Sequence, residues 1–321
     1  MYALCCKITI GKITFTSVNE VQIKSSIYNP GATALIKVPI TAVLKQAGEA
    51  NTFVETASEL HVGDPVEIQL GYDNQLEIEF RGYVKRFNYK KPLEIECEDE
   101  FYLTRSIDCV FSEEETQLED CVRRMLPDIQ LGHCTQLKLK NFILQHETGA
   151  AFLSKLKKDY GLTIFFDVNR KLYIGKTYEI LGEEIVKYRL DYNVIKSDDL
   201  KYKRAEDTKL YVEAICYYKN GEMRKGFIGQ EGGEKKTLYY YDVEDAEELK
   251  ALAQEEHARH VYDGYAGKLQ AFLFPYALPG MVADVEDPVY PERAGQYYIE
   301  STEVTFGTRG ARRNVEIGMK V

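Results

Sequence analysis

The chain reads as a mainly β protein with an α+β insert, two β-barrel-like domains flanking a small α/β subdomain. Three observations predict this. Apolar and polar residues alternate along the first ~100 residues and again along the C-terminal ~140, the signature of half-buried strands. Turn groups such as Asn29-Pro30-Gly31 and Gly63-Asp64-Pro65 punctuate those runs. Between them the apolar period changes from 2 to 3.6 and back. The expected domains are 1–105, 106–180 and 181–321, the last carrying one helix over about 243–262. At ~150 residues per domain, 321 residues suit about two domains.

In the first region alternation is plain in Lys7–Ile10, Ile13–Thr16 and Val21–Lys24. Ala34–Val38 follows the Asn-Pro-Gly turn, and Val66–Leu70 follows Gly-Asp-Pro. Tyr72–Gln75 turns the chain into a long alternating run from Leu76 to Phe87, and Pro92 opens Leu93–Cys97. Long strands joined by short turns suggest a closed or nearly closed barrel.

In the middle region Ser112-Glu113-Glu114-Glu115 has the form of a capping box. Leu118, Cys121, Val122, Met125 and Leu126 then make one apolar helix face, stopped by Pro127. A second helix runs from about Thr148, with Ala151, Phe152, Leu156 and Tyr160 inward and Gly161 as its end signal. Leu162–Phe166, a turn over Asp167–Lys171 and Leu172–Ile174 read as a hairpin. In the last region Lys209–Tyr218 and Thr237–Tyr241 are strand-like, with Asn220-Gly221 and Gly232-Gly233 as turn signals. The helix is capped by Asp242 or Asp245. Gly267–Phe274, Val282–Val285, Tyr297–Phe306 and Asn314–Met319 follow as strands.

Composition narrows the function classes. Hydrophobic residues are 45% and charged residues 29%, as in ordinary globular chains. Lys plus Arg is 41 and Asp plus Glu 51, a formal charge of −10. Such a chain is a poor candidate for general binding to nucleic acid or anionic membranes. No apolar run approaches the ~18 residues of a membrane-spanning helix. The first residues hold Lys7 and Lys12 within their apolar stretch and lack a basic leader, so no signal peptide and no membrane insertion are expected. The 7 cysteines form no CxxC and read as buried reduced thiols.

Catalytic, cofactor and metal sites are all expected to be none. Cys121, His133 and Cys134 fit no usual zinc spacing. Any histidine-centred chemistry must use His61, His133, His146, His257 or His260. His257 and His260, beside Glu256, stand at i, i+3, whereas zincin helices need i, i+4. Glu113–Glu115 read as a helix N-terminus and Glu94, Glu96 and Glu98 as a solvated strand face, not as a glycosidase pair. There is no GxGxxG, P-loop or GxSxG. Gly229–Glu234 is glycine-rich, but its acidic residues would repel phosphate, and a hairpin tip is the reading. The 24 tyrosines, clustered at Tyr239-Tyr240-Tyr241, suit interfaces and barrel strands equally.

Three segments, in order, resemble a known family. The first is Gly63–Tyr72, then Phe80-Arg81-Gly82-Tyr83-Val84, then Glu96-Cys97-Glu98-Asp99 and Leu103. The second runs over Leu144–Leu156, Asp159–Leu162 and Leu172–Gly175. The third holds Tyr265-Ala266-Gly267, Pro275, Leu278–Val282, Gly295–Ile299 and Arg313–Gly318. Together they are similar to the baseplate hub proteins of contractile-tail phages, the late control protein D family, and to the hub-like N-terminal part of type VI secretion spike proteins. The resemblance implies a structural, non-enzymatic hub. It would be a homotrimer, each chain giving two barrel-like tube domains, that joins a sixfold tail tube to a threefold spike. The implied partners are further copies of the chain, the tail tube protein, a spike on a separate chain and, as a further candidate, a tape-measure protein. Specific nucleic-acid binding is not among them. The implied location is the tail of a phage or prophage-derived particle, assembled in the bacterial cytoplasm. A tail-tip cell-wall hydrolase or peptidase, or a glycan-binding tail-tip module, is the alternative. The central channel of such a ring is expected to be acidic or neutral. Glu67, Glu77, Glu79, Glu94 and Glu96 alternate with apolar residues and are expected to face away from the barrel interior.

Overall fold

A computed structural model describes residues 3–44, 52–176, 179, 185–217, 222–230, 232–241, 243 and 245–321. The chain is mainly β with a small helical complement, as the alternation predicts. It divides into two compact units. The first comprises Met1–Leu181, Gln270–Gly280 and Glu300–Val315, the second Gly182–Leu269, Met281–Ile299 and Glu316–Val321.

In the first unit the strands are β1 Leu4–Ile10, β2 Ile13–Phe15, β3 Glu20–Ser26, β4 Thr33–Val38, β5 Thr41–Leu44, β6 Thr52–Glu55, β7 Pro65–Tyr72, β8 Gln75–Asn88 and β9 Leu93–Glu98. Then come α1 Phe101–Thr104, β10 Asp108–Gln117, α2 Leu118–Met125, β11 Leu131–Cys134, β12 Lys138–Thr148, α3 Gly149–Tyr160, β13 Leu162–Phe166 and β14 Leu172–Lys176. The main sheet runs β2-β1-β7-β8-β9-β4-β3. Its ladders are antiparallel, and Ser301–Gly307 pairs on the free side of β3. One residue in two faces inward, so Ile8, Ile10, Val21, Ile23, Ile36, Ile68, Leu70 and Ile95 form one buried cluster. The β7–β8 hairpin closes on Asp73 and Asn74, both at positive φ. Their short polar side chains tolerate the left-handed region that a two-residue hairpin turn requires.

The register of β8 slips twice, at Lys85 against β9 and at Glu79 against β7. Ile68 pairs with Phe80 but Gln69 with Ile78, so Glu79 is an extra residue in β8. A bulge of this kind turns its side chain to the other face. Glu79 is therefore buried and not outward-facing as expected, while Glu77 stays exposed and Glu67, Glu94 and Glu96 stay on the solvent side.

The insert shows two further departures, one on α3, where Ala151 is exposed and Ala150 and Leu153 are buried in its place, and one at the capping pattern. Ser112–Glu115 do not cap a helix; they lie in β10, paired with β12 from Ser112↔Ile143 to Glu115↔Lys140. A capping pattern is a local signal. Here it loses to a ladder that buries Cys109 and Phe111 against Leu139, Phe142 and Leu144 in one core. Helix α2 starts after Gln117, without a side-chain cap, and buries Leu118, Cys121 and Val122 as its period predicts. In α3, Thr148 Oγ1 accepts from Ala151 N at 3.2 Å, and Gly161 ends the helix at φ 64°. Thr148→Ala should cost about 1 kcal/mol in urea unfolding, and Thr148→Ser much less, because only the first leaves that amide uncapped. Strands β13 and β14 form the expected hairpin, joined in parallel by β11.

The second unit holds β15 Ile185–Arg189, β16 Val194–Lys196, β17 Leu200–Lys203, β18 Leu210–Tyr217, β19 Met223–Gly229, β20 Glu234–Tyr241, α4 Ala246–His260, β21 Gly264–Ala271, β22 Val282–Glu286, β23 Gly295–Gly307 and β24 Gly310–Lys320. Strands β21, β23 and β24 contribute residues to both units. Within this unit β22 pairs with β15 and β23, and β17 with β21. A separate three-stranded sheet, ordered β19-β18-β20, carries α4 on one face. Asp245 caps α4, accepting from Glu247 N at 3.1 Å. Asp242 and the Asn220-Gly221 turn lie outside the described residues.

Gly229–Glu234 is not a hairpin tip. Strand β18 separates β19 from β20, so the connection crosses the start of β18. A Cβ at Gly229 would stand 2.0 Å from Leu210 O, and one at Gly233 2.2 Å from Lys209 O. These glycines permit that close backbone passage.

Candidate functional site

The residues weighed for chemistry are dispersed or neutralised. Cys121 is buried in the insert core and Cys134 sits on β11 near Glu119 and Arg123. Burial pushes the Cys121 thiol up to about 12 and the Cys134 thiol up to about 11. At neutral pH both are protonated, whereas metal ligation and nucleophilic attack use the thiolate. His133 stacks on Tyr173 with centroids 4.7 Å apart, its Nε2 3.0 Å from Glu179 Oε1. His61 and His146 are exposed beside Asp64 and Asp108. Among the described residues no group of three or more His, Cys, Asp and Glu side chains could hold a metal ion.

On α4 the structure brings Glu256 and His260 together, with Nε2 3.0 Å from Oε1, while His257 lies against Gly229. Lys236 and Arg259 also donate to Glu256. The His260 hydrogen bond, then those of the two cations, hold the Glu256 carboxyl well below the usual range. A carboxylate already served by these donors is a structural anchor between β20 and α4.

In the other acidic runs several carboxylates have basic partners. Glu94 takes Lys90 at 2.9 Å, Glu96 takes Arg86 at 2.7 and 2.8 Å, Glu113 takes Arg124 at 2.7 Å and Glu115 takes Lys138 at 2.7 Å. Glu67 accepts from Arg81 at 2.9 Å. Of Glu67, Glu77, Glu94 and Glu96, the four expected carboxylates that do face outward, three are therefore neutralised locally.

Two buried constellations organise the first unit. In the first, Arg313 is fully buried and uses its whole fork. Nη2 donates to Glu79 Oε1 at 2.6 Å, Nε to Leu273 O at 3.1 Å and Nη1 to Ala277 O at 3.0 Å. Its guanidinium lies 5.0 Å from the Tyr276 ring centre, and the Tyr276 hydroxyl donates to Ile78 O at 3.1 Å. The clamp ties segment 273–277 to the bulge in β8.

The second lies at the end of β9. Glu98 takes Arg105 and Lys85. Asp99 accepts from Ala32 N at 2.7 Å and Phe101 N at 3.0 Å, and Glu100 pairs with Arg170 of the β13–β14 turn at 3.1 Å. Three successive carboxylates thus fasten the β3–β4 turn, α1 and the insert hairpin to one strand end. Burial, only partly offset by the two backbone donors, pushes the Asp99 carboxyl up to about 8. In the unfolded chain it titrates near 4. Between those values the folded state holds the proton more tightly, so Asp99's stabilising contribution is full below about pH 4 and is lost as pH rises toward 8. The carboxyl carbon resonance of Asp99 should titrate near pH 8, and the fall in unfolding free energy from pH 5 to pH 8 should shrink in Asp99→Asn. A midpoint below pH 5 would refute this.

Among the described residues no helix is long and apolar enough to cross a membrane. No protein-family model and no curated protein matches the chain. Solved structures do. The chain is similar to the tail protein from Neisseria meningitidis MC58, with TM-score 0.67, 12% identity and 99% of this chain covering 97% of that one. It is similar to the 43 kDa tail protein of prophage MuSo2 from Shewanella oneidensis, with TM-score 0.66, 14% identity and coverage of 99% and 98%. A third is an E. coli component of the type VI secretion system, described as structurally similar to T4 bacteriophage tail proteins. There the TM-score is 0.58, identity 12% and coverage 97% and 76%. At these identities the likeness is one of fold. The fold is the one shared by these phage tail and type VI proteins, as the three sequence segments imply.

Proposed function

We propose that this chain is a structural hub of a phage-type tail, a homotrimeric adaptor between a sixfold tail tube and a threefold spike. The observation that carries the reading is the end-to-end likeness to phage tail proteins, covering 99% of this chain and 97–98% of theirs. Two β regions per chain, repeated in three chains, make six similar elements around one axis, and a closed ring is the ordinary outcome of such a heterologous contact. The pairing of Glu67, Glu94 and Glu96 with arginine or lysine leaves Glu77 as the remaining outward charge of that set. A channel lined by them would be close to neutral, which keeps DNA or a tape-measure protein from sticking. The protonated thiols and cation-saturated carboxylates favour a structural role over catalysis.

The test is to isolate tail particles that contain the protein and image the junction of tube and spike. Three copies around the axis there, with the tube on one side and the spike on the other, is the expected result. Copies elsewhere in the particle, or in a number other than three, would defeat the adaptor reading. Purified protein should also release nothing from peptidoglycan, and turnover abolished by His260→Ala would favour the hydrolase instead.

A further inference from the structure

One face of the three-stranded sheet in the second unit carries exposed aromatic residues, while Glu213 and Ile215 on the same face of its central strand are buried. On β18, Leu210, Val212, Ala214 and Cys216 pack in one core with Leu249 and Ala253 of α4. The alternate positions point the other way. Register sets Glu213 opposite Phe227 and Thr237, and Ile215 opposite Lys225 and Tyr239. On this face Phe227 is 60% exposed, Tyr239 57%, and Tyr217 and Met223 47% each. The rings stand in near-parallel pairs, Tyr211 with Phe227 at 5.9 Å and Tyr217 with Tyr239 at 6.3 Å. Between the pairs, Lys225 and Lys235 both hold Glu213, at 3.2 and 2.8 Å.

We infer that this face is covered by a second copy of the chain, as one part of the contact between neighbouring copies; the inference rests on the homotrimer proposed above. Two observations select that occupant. Strands of this length span roughly 25 Å, and three of them roughly 10–14 Å, so the face covers on the order of 300 Å². A free-standing interface needs about 800 Å² per partner. The face is therefore too small to hold an independent protein, and it suits molecules already held together elsewhere, as in a closed ring. Charge points the same way. Two lysines against one glutamate leave the face net positive on a chain of formal charge −10. The surface it complements is the acidic surface of another copy. Tyrosine, phenylalanine and methionine, the exposed residues of this face, are types enriched at interfaces.

The test uses the full chain. The self-association of the unaltered protein is measured by native mass spectrometry and crosslinking, alone and with the tube protein, and compared with Phe227→Glu/Tyr239→Glu. Circular dichroism and the melting temperature check that this variant folds. The expected result is at least a tenfold weaker association with the fold retained. With p-benzoyl-phenylalanine in place of Phe227, illumination should yield adducts to peptides of another copy. If the unaltered protein associates and the folded variant associates equally, this inference fails while the trimer stands. If the unaltered protein never self-associates, both fail. Adducts only to the tube protein, or oligosaccharide binding lost in the variant with association unchanged, would assign the face to a different occupant and overturn the inference.

Discussion

Arg313→Met is expected to lower the unfolding free energy by about 3–5 kcal/mol, the range for breaking a buried ion pair from one side. The reason is what remains behind. Arg313 is 0% exposed and the Glu79 side chain 2%. Without the guanidinium, a buried carboxylate loses its ion partner and the carbonyls of Leu273 and Ala277 lose their donors. Burial already raises the Glu79 pKa, with Arg313 opposing, so the variant should protonate Glu79 instead of carrying a bare charge. Glu79→Leu combined with Arg313→Met should recover part of the loss, because no unpaired charge is then left inside. Urea unfolding of the two single variants and the double variant measures the coupling. A cost below 1 kcal/mol for Arg313→Met, or strictly additive losses, would show that the clamp does not hold segment 273–277.

That clamp was half legible in the sequence. Ala311, Arg313, Val315 and Ile317 share one phase of β24, and all four are buried. An arginine in the inward phase of an alternating strand is a signal for a buried partner. The partner itself was hidden. Leu76-Glu77-Ile78-Glu79-Phe80 alternates without fault, and the bulge that reverses Glu79 comes from the register of β7, a non-local fact. The same distinction runs through the insert. The face of α2 and the stop at Gly161 are carried by local period and φ preference and are readable, whereas on α3 only part of the face is: Phe152 and Leu156 are buried as expected, but Ala151 is exposed and Ala150 and Leu153 are buried. The Ser112 motif is equally local, but the partner strand β12 decides its fate. By sequence the tyrosine cluster suits interfaces and barrel strands equally, and its neighbouring residues differ in burial. Tyr239 is exposed on the aromatic sheet face, while Tyr240 packs against the core under α4. Glu98, expected on a solvated strand face with Glu94 and Glu96, is buried because Lys85 and Arg105 cover it, and Asp99 stands out in the sequence only through the family resemblance. The fastening at this strand end depends on Ala32, Arg105 and, through Glu100, Arg170, which sequence spacing does not connect.

The fastening can be opened without touching a charge. Gly82→Ala should cost about 3 kcal/mol or more, because its Cβ would fall 2.2 Å from Glu98 O and 2.8 Å from Asp99 Cα. Those are backbone atoms of the neighbouring strand end, so no side chain can swing aside. The strand must move, and with it the carboxyl of Asp99 that holds Ala32 and Phe101. Gly161→Ala is the control. Nothing lies within 4 Å of its Cβ position, and only the φ of 64° opposes the change, worth about 1 kcal/mol. Hydrogen exchange separates the two. Gly82→Ala should speed exchange at Ala32 and Phe101 together, since both amides depend on one carboxylate, and Gly161→Ala should leave them unchanged. If Gly161→Ala proved the costlier substitution, or if Ala32 stayed protected in Gly82→Ala, then the close approach of β8 to the end of β9 is not what keeps the turn, α1 and the insert hairpin in place.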